Sequence, residues 1–388
     1  MRQNRASEGE TLAIFRAVLL VGLTLSFILA APTSAQKTHP SDAYRRTAAD
    51  GTVTVSVSMT LADADEEESG GLEIASEDAW TAGVLNDPAC EAFGVIRDVA
   101  VAPDGAVYVL DGQASEVQTF ASDGTCGPRF GGHGGGPGEF RQARAVDVDG
   151  AGRVHVLDFD GHVSLFGRQE DEFTLEEDFS VRLDMTEGDF CVTDEGGWAF
   201  AGRDLEGQGV LHYYAPDLEA EVRAVLGPLY TSGTAVDVRF TGGQISCLPG
   251  ERVLHTAPAL GEMRVVDLLT GGVDMLVRIS DFQPLQIGLT ERGGTQIAVP
   301  EEGYHYPVGT VSLGDGRIAV QWGLRSPEGV KARRPWDRLI TFLIDPDSRT
   351  VSRLGEDLPS LRAAGEGWVV VRRPGDIPGI EVRGLARR

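Results

Sequence analysis

Three histidines, His155, His255 and His305, have the side chain best suited to ligate a transition metal in this 388-residue sequence, but they stand far apart along it. The motifs that would announce hydrolytic chemistry are missing: there is no Gly-x-Ser-x-Gly and no His-Glu-x-x-His. The glycine run Gly131 to Gly138 looks like a phosphate cradle, yet it lacks the Gly-Lys-Ser/Thr ending and no helical pattern follows, so it reads as a turn. Asp147-Val-Asp-Gly opens like a calcium loop. Its fifth position is Ala151 and its twelfth is Asp158 instead of glutamate, which points to a hairpin turn. Two groupings remain: the aromatic cluster Tyr304, His305 and Tyr306, and a basic stretch of Arg325, Lys331, Arg333, Arg334, Trp336 and Arg338. Guanidinium forks suit carboxylates and phosphates, so these residues form a candidate site for an anionic small molecule or a protein partner. The competing reading is that the arginines offset neighbouring carboxylates. No catalytic residue, cofactor or metal site is assigned.

The elements that must position these residues are written as repeats. Asp98-Val-Ala-Val-Ala-Pro-Asp-Gly-Ala-Val-Tyr-Val-Leu-Asp111 is echoed by Ala145-Val-Asp-Val-Asp-Gly-Ala-Gly-Arg-Val-His-Val-Leu-Asp158, with Gly105 and Gly152 in register at a shift of 47. Short strands recurring at such a period indicate propeller blades. Weaker copies of the same turn and apolar strand surround Gly196, Gly250, Gly316 and Gly367, which makes six units. The second strand of each, such as Val107 to Leu110 or Ile318 to Gln321, is apolar at consecutive positions, the pattern of a strand buried on both faces. Within this alignment His155 matches Tyr108 and His255 matches Val109, adjacent positions that face opposite ways, so one shared metal is not expected. Fifty glycines fit a chain of tight turns.

The net charge of −25 excludes a nucleic-acid partner, which needs a basic patch. Residues 1 to 35 read as a secretory signal: Arg2, Arg5 and Arg16 precede the apolar run Ala17 to Ala31, and Thr33-Ser34-Ala35 offers a cleavage site. A run of that length is short for a span, so no integral membrane span is expected in the mature chain, which is read as a secreted or periplasmic monomer. Residues 36–71 form an acidic linker with one candidate strand, Thr52 to Met59, and 72–388 form the propeller.

Gly131-Gly-His-Gly-Gly-Gly-Pro-Gly-Glu-Phe140, following Val-Tyr-Val-Leu-Asp111, resembles the NHL-type six-bladed β-propellers, in which Gly-Pro-Gly-Glu-Phe ends one blade and leads into the next. The resemblance is specific from about Trp80 to Phe166. It implies an all-β ring in which an N-terminal strand closes the last blade, and Trp80 to Leu85 or Thr52 to Met59 would supply that strand. It also implies an alternative to a binding or scaffold module, a metal-dependent lyase or hydrolase on the same fold. Lyase-like members hold zinc with three histidines, and lactonase-like members hold calcium through asparagines, of which this chain has none after Asn86. Cys191 and Cys247 lie on predicted first strands of consecutive blades and are expected to pair; Cys90 and Cys126 are then left for each other.

Overall fold

A computed structural model describes residues 57–61, 71–84, 90, 92–169, 172–204, 210–216, 223–226, 242–258, 260–289, 295–356 and 358–387. Ahead of the repeats come β1 (Val57–Leu61) and β2 (Leu72–Ala82). Blade one is β3 (Ile96–Val101), β4 (Val107–Asp111), β5 (Glu116–Phe120) and β6 (Cys126–Gly131). Blade two is β7 (Ala143–Val148), β8 (Val154–Asp158), β9 (His162–Gln169) and β10 (Glu172–Ser180). Blade three is β11 (Leu183–Val192), β12 (Trp198–Asp204), β13 (Leu211–Tyr214) and β14 (Arg223–Leu226). Blade four is β15 (Ile245–Leu248), β16 (Arg252–Ala257), β17 (Glu262–Asp267) and β18 (Val273–Ile279). A small hairpin follows, β19 (Gln286–Leu289) with β20 (Thr295–Ala298). Blade five is β21 (Tyr304–Ser312), β22 (Ile318–Arg325), β23 (Arg338–Asp345) and β24 (Thr350–Leu354). Blade six has β25 (Leu361–Gly365), β26 (Trp368–Arg372) and β27 (Ile380–Arg387), and its fourth strand is β2.

The protein is therefore an all-β, six-bladed propeller closed by an N-terminal strand. The closing strand extends further upstream than the sequence suggests, because Leu72 to Ile74 also pair with Leu385 to Arg387. The other candidate strand is not wasted: Val57–Leu61 adds in parallel to the outer edge of blade four, while residues 52–56 lie outside the described residues. Between β22 and β23 one short helix, α1 (Pro327–Lys331), is capped by Ser326, whose side chain accepts the Gly329 N–H.

Core packing follows from the period-two direction of side chains. In β4 all five residues are buried. Val107 and Val109 join the cluster shared with blade six, whereas Tyr108 and Leu110 join the cluster shared with blade two. The same division recurs in β12, where Ala199 faces blade four and Phe200 faces blade two, and in β22, where Val320 faces blade four and Ala319 faces blade six. Six clusters among the described residues thus fill the six gaps between blades.

The repeat aspartates close loops. Asp111 accepts the Gly94, Val95, Gln113 and Ala114 N–H groups, and Asp158 accepts those of Arg141, Gln142 and Phe159. The glycine run is a blade connection, as its sequence implies. Phe140 turns back into the gap between blades one and two, 1% exposed, and a Cβ on Gly131, at φ 96°, would collide with its ring.

Both disulfides form. Cys191 and Cys247 join the first strands of blades three and four with Cα atoms 5.7 Å apart. Cys90 lies ahead of β3, in the connection from β2, and reaches Cys126 on the outer strand of blade one with Cα atoms 6.0 Å apart. That bridge locks the closing strand to the blade on its far side. Trp80 supports it: its ring stacks on Phe120, its N–H donates to the Ser122 carbonyl, and its atoms fill the space where Gly124 has no Cβ.

Trp80→Ala removes this seam between blades six and one. It is expected to lower unfolding free energy by about 3 kcal/mol. A urea titration checks it, with the slope of the transition unchanged.

Candidate functional site

The first strands of the blades line a central channel of about 870 Å³. Carboxylates line it, among them three on the first strands of successive blades: Asp98 on β3, Asp147 on β7 and Asp189 on β11. Each does the same work. Asp98 accepts the N–H of Val99 beside it and of Val146 on the next blade; Asp147 accepts Val148 and Val192; Asp189 accepts Phe190 and Ile245. One carboxylate thus staples each blade to its successor from one to four. Around the rest of the ring the staples change type. The Thr310 hydroxyl donates to the Ile245 carbonyl, and Gln321 accepts the Leu361 N–H while donating to the Pro359 carbonyl.

Removal from water disfavours the charged form of these acids and pushes Asp147 up to about 7. Burial, reinforced by the charge of Asp98, pushes Asp189 up to about 8. Asp98 is also raised by burial, against the backbone N–H groups it accepts and the positive charge of Arg362.

The histidines have separate partners. Trp198 Nε1 donates to His155 Nδ1 at 3.0 Å, so the proton of neutral His155 sits on Nε2 and is given to Asp149 at 3.2 Å. The hydrogen bonds from His155 and Arg153 outweigh burial and hold Asp149 well below the usual carboxylate range. His255 Nε2 lies 2.7 Å from the Gly242 carbonyl. His305 Nδ1 accepts the Gln283 N–H, and its ring stacks on Phe282. Burial holds His305 down to about 4, so it is neutral at pH 7. His155 turns towards blade three from blade two, and His255 shares a strand with Val253, which packs on blade three from the other side. They are not brought together, and no group of three metal-ligating side chains occurs among the described residues.

The two groupings in the sequence do meet, on blade five. Tyr304 lies opposite Arg325 in the β21–β22 register, and the Tyr306 hydroxyl donates to the Pro335 carbonyl in the basic insertion. Tyr304, His305 and Tyr306 all line the channel. Burial pushes Tyr306 up to about 12, so it remains a phenol. Arg325 is half-buried, and its Nε has no hydrogen-bond partner among the described residues. Beyond it the insertion wraps around Asp337, whose carboxylate accepts the Ser326 N–H and pairs with Arg334 at 2.7 Å. Arg338 pairs with Glu356 at 3.1 Å. Arg333 and Lys331 are exposed, and Trp336 is half-buried. Two of the cations therefore have carboxylate neighbours in the blade.

The channel carboxylates escaped the sequence reading. Shifting Asp98 by the repeat of 47 lands on Ala145, not on Asp147, so the acids do not align. The usable signal was an aspartate on each of three successive first strands.

Fold and site together define a six-bladed propeller with a channel lined by both carboxylates and arginines and a basic insertion on blade five. No protein-family model matches the sequence, and no curated protein matches it. Among solved structures, a Bacteroides fragilis protein inferred to be exported is similar over 86% of this chain and 100% of its own, with a TM-score of 0.56 and 10% identity. A protein of unknown function from Bacteroides thetaiotaomicron is similar over 81% of this chain and 76% of its own (TM-score 0.49, 13% identity). Virginiamycin B lyase from Staphylococcus aureus is similar over 81% of this chain and 100% of its own (TM-score 0.44, 9% identity). At such identities the likeness is one of fold. No helix of the described residues is long and apolar enough to cross a membrane.

The raised channel acids make stability depend on pH with a definite sign. A carboxyl whose folded value lies above its unfolded one holds its proton better in the native state, so its contribution is complete at low pH and is lost as pH rises through the folded value. With Asp147 at about 7 and Asp189 at about 8, melting temperature is expected to fall from pH 5 to 8.5. Asp147→Asn with Asp189→Asn should flatten that slope. Calorimetric scans across the range check it; an unchanged slope in the double variant refutes it.

Proposed function

We propose that the protein is an exported binding module, a rigid propeller that presents the rim of blade five to an anionic small molecule or an acidic protein segment. The observation that carries this reading is the convergence on one blade of Tyr304, Tyr306 and Arg325 with the insertion bearing Arg333, Arg334, Trp336 and Arg338. In a chain of net charge −25 a negative ligand is repelled over most of the surface and drawn to that rim. Tyrosine and tryptophan supply flat, amphipathic contact area of the kind that anchors interfaces. Insertions on a rigid scaffold are common carriers of binding.

Export rests on two supports: residues 1 to 35 have the composition of a secretory signal, and the two disulfides belong to an oxidising compartment. In this reading residues 1–35 are removed, residues 36–71 act as an acidic tether, and the mature propeller works as a monomer.

The test is binding of a fluorescent hexa-aspartate peptide at low ionic strength, followed by anisotropy. Wild type is expected to bind it and to weaken with added salt. Arg333→Ala, Arg334→Ala and Arg338→Ala together should weaken binding tenfold or more and leave the melting temperature nearly unchanged, because exposed ion pairs contribute little. A wild type that ignores the peptide, or a triple variant that binds it as well, overturns the reading.

A further inference from the structure

Arg362, on β25 of blade six, lines the channel and is not part of the basic insertion of blade five. Its Nε is buried with no hydrogen-bond partner among the described residues, and no ion pair within them engages its guanidinium. The charges it feels are Arg372 on β26, which repels it, and Asp98 on β3, which attracts it; burial and Arg372 together lower its affinity for its own proton. A half-buried guanidinium whose Nε has no partner and which grips no carboxylate among the described residues is an incomplete arrangement. It offers a planar fork of donors to whatever enters the channel.

The rest of the wall narrows what that can be. Gln244, which lines the channel ahead of blade four, keeps its Oε1 buried and without a partner among the described residues, so an acceptor is open as well as a donor. Ser246 and Thr310 add hydroxyls. Asp98 lies on the adjacent blade and Asp147 and Asp189 on the two after it, and as these acids ionise through about pH 7 to 8 they disfavour an occupant with more than one negative charge. The channel, at about 870 Å³, lies within the range of small-molecule pockets. The demand is thus for one negative, forked group, at least one hydrogen-bond donor elsewhere on the molecule, and modest size. Phosphate fails the first condition near neutral pH through its second charge, and an apolar acid fails the second.

We propose that the channel is a receptor for a small monocarboxylate that also carries a hydroxyl or amino donor, with Arg362 gripping the carboxylate. This site does not rest on the rim of blade five. The two depend on different arginines, so either can fail while the other stands.

The test uses the full chain and isothermal calorimetry with glycolate, lactate, glycine and glutamine. Lactamide and glycinamide serve as partners that lack the carboxylate, and inorganic phosphate serves as the dianionic control. At least one of the four acids is expected to bind wild type, with tenfold or greater loss when its carboxylate is replaced by an amide and much weaker binding of phosphate. Arg362→Gln should lose binding tenfold or more, Arg362→Lys should retain part of it, and the rim triple variant should bind the acid as wild type does. If Arg362→Gln fails to fold, the acid-against-amide comparison in wild type and the Arg362→Lys variant carry the test. No binding of any acid to wild type, equal binding of acid and amide, or unaltered affinity in a folded Arg362→Gln protein overturns the proposal and leaves Arg362 as a counter-charge to Asp98.

Discussion

Burial of the second strand of each blade on both faces is the constraint from which the rest of this structure follows. A strand such as Val107 to Asp111 has no side that tolerates water, so its sheet must be packed by a neighbour on each face. Stacking sheets this way produces a line with two exposed ends, and only closure into a ring removes them. The closing strand β2, the Cys90–Cys126 bridge and the stack of Trp80 on Phe120 all serve that single junction. The chain concentrates covalent and aromatic reinforcement where sequence neighbours are furthest apart.

The ring has a cost at its centre. First strands converge there, and their backbone N–H groups on the inner edge have no further strand to bond. Asp98, Asp147 and Asp189 answer this by accepting N–H groups from the following blade. The answer brings three acids into a confined channel, where desolvation and mutual repulsion raise their proton affinity. Structure and electrostatics therefore pull against each other at the axis. Arg362 on blade six sets a positive charge against Asp98, and its Nε has no hydrogen-bond partner among the described residues.

Histidine illustrates how a residue suited to metal chemistry is used for packing. His155 is wholly buried, yet both its nitrogens have partners that belong to the seam between blades two and three. His305 is held by a backbone N–H and an aromatic face. Their spacing around the ring is that of the repeats, and a ring places repeat positions apart. The basic insertion is of another kind. It interrupts the repeat, and Asp337 folds it over Tyr306, so its cations and the aromatic cluster come to share one rim although 19 residues separate Tyr306 from Arg325.

By itself the sequence determined what is local or periodic. The six units, the apolar second strands, the turn character of Gly131 to Phe140 and the pairing of Cys191 with Cys247 were legible, because alternation and a repeated turn record burial and direction residue by residue. N-terminal closure came from the resemblance to NHL-type propellers, which left two strands open for it. What joins distant positions was decided only in the folded chain. The parallel addition of Val57–Leu61 to blade four has no local signal, since an outer edge accepts any extended segment that reaches it. The acid staples were hidden because each carboxylate meets its partner N–H 45 to 56 residues away and the three do not occupy one repeat position. Whether Arg362 faces an ion partner or an open channel is likewise not a property of β25. It depends on which side chains the closed ring brings across the axis, and only ring closure fixes that.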